Sequence, residues 1–279
     1  MLLLLYNKND NEEKMVTKIK LWVSDIDGTI MNYDGSFTSN MKNLIESLNN
    51  SDIKFVLATG RMFDGAYHEA KKFNVTTPII CYQGAVVRTK DEILWQSLVD
   101  NDLAYEIIDY LKEKNLHTHV YNNDILYVDD DNKPVMEEYC GDRGTTYTVV
   151  DDLKGLKLEH VAKILAIIDD KALMEEIKQE LKEKYKGKLT IVQSSPKYLE
   201  INDINASKGN ALNFLKDFWN IKKEEILASG DQDNDIELLK NAGVKVCVGK
   251  NSKKLYELAD YNCKDVNSDE LVEVIKKYL

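Results

Sequence analysis

Short apolar runs, each closed by a polar residue and followed by a helical period, recur at both ends of this 279-residue chain but not in its middle. Ile19-Lys20-Leu21-Trp22-Val23-Ser24 reads as a buried strand. Asp34-Gly35 marks a tight turn, and Thr38 or Ser39 caps a helix with Met41, Leu44, Ile45 and Leu48 on one face. Ile53–Ala58 predicts a second strand, a helix follows through about Phe73, and Pro78–Tyr82 predicts a third strand. The last third repeats the grammar: a helix over Lys208–Trp219, a strand at Glu225–Ser229, a helix over Asp235–Asn241 and a strand at Val244–Val248. A helix near 252–259, a short strand at Tyr261–Cys263 and a final helix from about Ser268 complete it. Such alternation predicts an α/β fold, a doubly wound parallel sheet with helices on both faces.

The middle of the chain has another texture. Ala85–Arg88 with Ile93–Gln96, and His117–Tyr121 with Ile125–Asp129, read as strand pairs separated by a helix around Leu103–Lys114. Val161–Ile168, a helix near 171–184, Leu189–Gln193 and Tyr198–Ile201 continue an α+β pattern. The expected organisation is a core domain of residues 18–84 and 203–279 with an inserted α+β cap domain of residues 85–202. Residues 1–17 read as a polar, disordered extension, with Met15 a candidate alternative start.

Composition narrows the class. A net charge of -11 disfavours nucleic acid as a partner. MLLLLY at the start has no basic flank and is cut short by Asn7-Lys8-Asn9-Asp10, and no later run approaches the roughly 20 apolar residues that span a bilayer. Four scattered cysteines without a C-x-x-C pair point away from zinc and towards a reducing compartment, so the cytoplasm is the expected location. No obligate protein partner is implied.

Ligands of open α/β sheets bind beyond the carboxyl ends of the strands. There the sequence puts Asp25 and Asp27 after the first strand, Thr59-Gly60 after the second and Gly230-Asp231 after a later one, with Lys208 opening a helix. Carboxylates, a hydroxyl and an ammonium on one rim suit phosphoryl transfer. A phosphate monoester is a dianion, so an attacking carboxylate needs a cation such as Mg²⁺ held by Asp25 and Asp231. Lys208 and Thr59 would hold the phosphoryl oxygens. Asp27, two residues on, is the candidate general acid and base. Gly28 and Gly60 let backbone N–H groups approach a phosphate closely.

Four segments carry a resemblance. Asp25-Ile26-Asp27-Gly28-Thr29, Ala58-Thr59-Gly60-Arg61, Ser207-Lys208-Gly209 and Gly230-Asp231-Gln232-Asp233-Asn234-Asp235 resemble, in order, the four motifs of the haloacid dehalogenase (HAD) superfamily. The large insertion between the second and third resembles the Cof-type subfamily with a C2B cap, over residues of about 18–279. The resemblance implies a HAD-like Rossmannoid core and a Mg²⁺-dependent phosphatase acting on small phosphorylated metabolites, such as sugar phosphates or phosphorylated cofactors. It implies that Asp25 forms an aspartyl-phosphate and that Asp27 is the acid/base. The side chains of Asp25 and Asp231 and the carbonyl of Asp27 would ligate Mg²⁺, Thr59, Gly60, Lys208 and Asn234 would bind phosphate, and Asp235 would support the metal site. Two segments depart from the pattern: Gln83-Gly84-Ala85 where Asn-Gly-Ala is frequent, and Gly249-Lys250-Asn251 where Gly-Asn-Ala is frequent.

Other candidates have plainer readings. His117 and His119 share a strand face but have no third ligand nearby in sequence, so they read as packed or solvated. Arg61 either touches substrate or pairs with an acid, Asp129-Asp130-Asp131 reads as a polar turn and Lys182–Lys188 as a solvated helix face. A phosphotransferase or phosphomutase on sugar phosphates is the alternative enzymatic reading. A phospho-receiver signalling protein is the non-enzymatic one, though receivers are about half this length.

Overall fold

A computed structural model describes residues 18–141 and 145–279. The expected extension at residues 1–17, with the candidate start at Met15, lies outside the described residues. In chain order the strands are β1 (Leu21–Ser24), β2 (Lys54–Leu57), β3 (Ile79–Cys81), β4 (Val86–Arg88), β5 (Ile93–Gln96), β6 (His117–Asn122), β7 (Ile125–Val128), β8 (Tyr147–Val149), β9 (Val161–Ile167), β10 (Leu189–Gln193), β11 (Tyr198–Asp203), β12 (Ile226–Gly230), β13 (Val244–Val248) and β14 (Tyr261–Cys263). The described residues divide into two compact units, one of residues 18–57, 73–77 and 212–279, the other of residues 58–72, 78–141 and 145–211.

The first unit is the expected parallel α/β layer. Its sheet runs β14-β13-β12-β1-β2, and every pairing is parallel. β1 lies inside the sheet between β12 and β2, and its four residues are all buried, which is why it reads as a continuous apolar run rather than an alternating one. Trp22 packs its ring against Phe55 of β2 at 4.4 Å between centroids. The helix Ser39–Leu48 buries Met41, Leu44, Ile45 and Leu48, and the Thr38 hydroxyl oxygen accepts the Met41 N–H at 3.1 Å to cap it.

The second unit holds a six-stranded mixed sheet, β10-β11-β9-β6-β7-β8, and a three-stranded antiparallel one, β3-β4-β5. The helices Asn101–Glu113 and Lys171–Lys184, capped by Asp100 and Asp170, bury Ile107, Ile108, Leu111, Met174, Ile177 and Leu181 in one cluster with Val120, Ile164, Ala166, Leu199 and Ile201 of the large sheet. Alternation along the strands then puts His119, Tyr121, Lys163 and Glu200 on the opposite face.

Three local readings change. The third apolar run does not continue a parallel ladder: β3 pairs antiparallel with β4, and its parallel partner is a single bridge from Ala58 to Ile80. The chain leaves regular pairing there because Thr59 and Gln83 turn their backbone groups into a loop. The helix Lys133–Cys140 and β8 were not expected. The helix is short, with only Met136, Tyr139 and Cys140 buried, and β8 is largely exposed, so neither leaves a strong periodic signal.

His119 is fully buried, and its Nε2 lies 3.1 Å from that of His117. Burial, then the His117 and Lys163 charges, push its pKa down from 6.5 to about 3. An unfolded chain takes up this proton near 6.5 and the folded one only near 3. The stability His119 contributes is therefore full above pH 6.5 and is lost as pH falls towards 3, by up to about 1.4 kcal/mol per pH unit. Denaturant unfolding at pH 7.5 and 5.5 should show this loss, and His119→Gln should flatten it; an equally steep slope in the variant would remove His119 as the cause.

Candidate active site

In the first unit, parallel pairing of β1 with β12 aligns Ser24 with Ser229, so Asp25 and Asp231 leave neighbouring strands at nearly the same level. The Asp25 N–H donates to the Ser229 carbonyl at 3.0 Å, which carries the pairing one residue past the strand. A buried relay fixes this junction. Trp22 Nε1–H donates to Ser229 Oγ at 2.9 Å, Ser229 Oγ–H to Ser24 Oγ at 2.7 Å, and Ser24 Oγ–H to the Asp25 carbonyl at 2.7 Å. The relay runs one way through groups with no solvent exposure, tying the Asp25 backbone to the core of the sheet.

Beyond Asp25 the chain folds back on itself: the N–H groups of Ile30 and Met31 both reach the Ile26 carbonyl at 3.1 Å. Gly28, at φ +83, sits where a Cβ would lie 2.4 Å from Asp231 Oδ2. Only glycine satisfies both the backbone and the space. After β12 the short turn Asp233–Asp235 brings Asp235 back beneath the strand end, where its Oδ2 accepts the N–H groups of Asp231 at 3.0 Å and Gln232 at 3.3 Å.

One carboxylate oxygen from each of Asp25, Asp231 and Asp235 lies within 4.8 Å of the others, and all three residues are buried. Like charges that close, away from water, repel strongly, and a hard divalent cation reverses the sign of the interaction. The residues present fit such an ion: every donor is oxygen, and Asp235 is already engaged by backbone N–H groups in a way that steadies Asp231. Asp27 is half-buried, outside this trio, with its backbone bridged to Met31. Asn234 is half-buried in the turn Asp233–Asp235.

Sequence reasoning did not find two neighbours of Asp231. Its Oδ2 accepts from Tyr33 Oη at 3.2 Å and from Asn251 Nδ2 at 3.1 Å. Burial of the hydroxyl, helped by the Asp231 carboxylate, pushes the Tyr33 phenol up to about 12, which keeps it a neutral donor. Asn251 lies in the segment that departs from the Gly-Asn-Ala pattern, one place later than the usual asparagine, and that departure was the available signal.

In the second unit, Thr59, Gly60 and Lys208 are joined through one turn. The Thr59 N–H donates to Ile80, its carbonyl accepts from the Gln83 N–H at 3.1 Å, and its hydroxyl oxygen accepts from the Arg61 N–H at 3.2 Å. Tyr82, Gln83 and Gly84 all have positive φ, at 52, 58 and 96 degrees. A Cβ on Gly84 would lie 2.1 Å from the Ser207 carbonyl carbon and 2.5 Å from the Lys208 nitrogen. The glycine therefore lets this turn rest directly on the backbone entering the helix Lys208–Phe218. Thr59 and Lys208 are each about 99% buried. Arg61 pairs with Glu69 at 2.9 Å, as the structural alternative for it expected.

The sequence signature of the haloacid dehalogenase-like hydrolases matches residues 22–275, and the chain belongs to that family. A Thermotoga maritima protein, TM0651, superposes with a TM-score of 0.83 at 31% identity, covering 93% of this chain and 97% of that one. The subclass IIB sugar phosphatase BT4131 superposes with a TM-score of 0.80 at 19% identity, covering 93% and 98%, a likeness of fold. In sequence the chain is 23% identical to the Bacillus subtilis 5-amino-6-(5-phospho-D-ribitylamino)uracil phosphatase YitU, over 95% of this chain and 99% of the relative. It is a HAD-type phosphatase, and the receiver reading falls. Among the described residues no helix is long and apolar enough to cross a membrane.

The relay makes a measurable demand. Ser229→Ala leaves the buried Trp22 N–H without its acceptor, and should lower unfolding free energy by about 1–3 kcal/mol. In a double-mutant cycle with Trp22→Phe the two losses should be less than additive; full additivity would show that the relay does not couple them.

Proposed function

We propose that this chain is a Mg²⁺-dependent phosphatase that hydrolyses phosphate monoesters of small metabolites through an aspartyl-phosphate on Asp25. The observation that carries the reading is the buried trio of Asp25, Asp231 and Asp235 at the ends of β1 and β12. Mg²⁺ would be held by the side chains of Asp25 and Asp231 and the backbone carbonyl of Asp27, with Asp235 supporting Asp231. When bound, it supplies charge neutralisation between the substrate dianion and the carboxylates.

The Asp25 carboxylate attacks phosphorus, forming the acyl phosphate as the bond from phosphorus to the ester oxygen breaks. Asp27 gives its proton to the departing oxygen, so the alcohol leaves neutral. In the second half Asp27 takes a proton from water, whose oxygen attacks phosphorus and releases inorganic phosphate and free Asp25. Thr59, Gly60, Lys208 and Asn234 bind the phosphoryl oxygens as charge spreads over them. We assign this chemistry to a core of residues 18–84 and 203–279, and the choice of leaving group to a cap of residues 85–202. The phosphorylated ribityl compound named for YitU supports a small, phosphorylated metabolite as substrate. Water as acceptor and a cytoplasmic location complete the reading.

Phosphate release from 4-nitrophenyl phosphate should vanish on chelation and return with Mg²⁺. Asp25→Asn should lower kcat by about a thousandfold or more while the protein stays folded. Asp231→Asn should weaken Mn²⁺ binding, read by electron paramagnetic resonance independently of turnover. Near-wild-type turnover in Asp25→Asn would remove Asp25 as the nucleophile.

A further inference from the structure

Lys163 of β9 and Glu200 of β11 stand on the face of the large sheet turned away from its helices. They are 2% and 6% exposed, yet both are ionisable. Lys163 Nζ lies 3.3 Å from Glu200 Oε1 and 3.3 Å from the Gly60 carbonyl oxygen, and 4.8 Å from the centre of the Tyr121 ring. Ser194 Oγ–H donates to the same Glu200 Oε1 at 2.9 Å. Glu200 Oε2 is buried and has no hydrogen-bond partner among the described residues.

A buried ion pair kept only for stability is a poor device, because desolvation cancels much of the attraction. An orphaned carboxylate oxygen worsens it. The arrangement does suit a ligand. Lys163 and Gly60 are in direct contact, and Gly60 belongs to the turn system that joins Thr59 and Lys208, so the pair adjoins the proposed phosphate-binding residues within the same unit. The pair sums to no net charge, which disfavours an organic part bearing a carboxylate or a second phosphate. A hydroxyl can donate a hydrogen bond to Glu200 Oε2 and accept one from Lys163, whereas an ether, carbonyl or ionised carboxylate oxygen can only accept.

We propose that Lys163 and Glu200 are specificity-determining residues that read the organic part of the substrate, selecting neutral phosphate esters with hydroxyls close to the ester oxygen. This rests on the phosphatase reading above. The test measures kcat/KM for ribitol 5-phosphate, 3-phosphoglycerate and 4-nitrophenyl phosphate, in the wild type, Glu200→Gln and the double variant Lys163→Met/Glu200→Met. The double variant removes both charges together at similar volume, so no unpaired charge is left buried and the fold is retained. The wild type should prefer ribitol 5-phosphate to 3-phosphoglycerate by about tenfold or more. In both variants the ratio of kcat/KM for ribitol 5-phosphate to that for 4-nitrophenyl phosphate should fall by about tenfold or more. A ratio within about threefold of wild type, with both esters still hydrolysed, would overturn the subsite and leave the phosphatase reading intact. Absence of phosphate release from every ester by the wild type would overturn the phosphatase reading and the subsite with it.

Discussion

Parallel pairing of β1 with β12 is the constraint on which the rest of the first unit depends. It sets two carboxylates from residues more than two hundred apart in sequence at adjacent strand ends, where burial makes their repulsion expensive. The local structure is organised around that cost. Trp22, Ser229 and Ser24 relay a hydrogen bond into the Asp25 carbonyl, Asp235 receives backbone N–H groups beside Asp231, and Tyr33 and Asn251 donate to Asp231 Oδ2. Each contact restrains one of these aspartates through its backbone or its carboxylate, and together they hold a buried trio of carboxylate oxygens that suits a hard cation.

The second unit meets a different constraint through backbone geometry. Three successive residues with positive φ, Tyr82, Gln83 and Gly84, bend the chain between Thr59 and the start of the helix at Lys208. Two of these are not glycine, so the conformation costs free energy that the surroundings must supply. Part comes from Tyr82, whose ring is buried and whose hydroxyl donates to Asp124 Oδ1 at 2.5 Å, while Arg88 pairs with the other oxygen at 2.6 Å. The strain is held by a network rooted in the strands around it.

How much of this was legible in the sequence follows from the range over which each signal acts. The strand Leu21–Ser24 and the helix Ser39–Leu48 announce themselves because burial and periodicity are local properties of a few consecutive residues. Asp25 and Asp231 were legible because each follows a strand, and strand ends of a parallel sheet gather on one side. Tyr33 and Asn251 were not, since their contacts with Asp231 span 198 and 20 residues and obey no period. The end of β3 was misread because an apolar run states that a segment is buried but not which strand it pairs with.

Lys163 and Glu200 mark the same limit from the other side. In sequence each is one charged residue inside an otherwise apolar strand, and β9 reads as Val161-Ala162-Lys163-Ile164-Leu165-Ala166-Ile167. Alternation alone assigns Lys163 to a solvent-facing position, where a lysine needs no explanation. The fold covers that face, so the same residue becomes a buried ammonium against the Gly60 carbonyl and the Glu200 carboxylate. The chemistry that could distinguish one phosphate ester from another thus arises where tertiary burial contradicts local pattern. The residues proposed for phosphoryl transfer sit at strand ends that topology dictates, while the pair proposed to read the substrate sits on a sheet face whose surroundings no local pattern specifies.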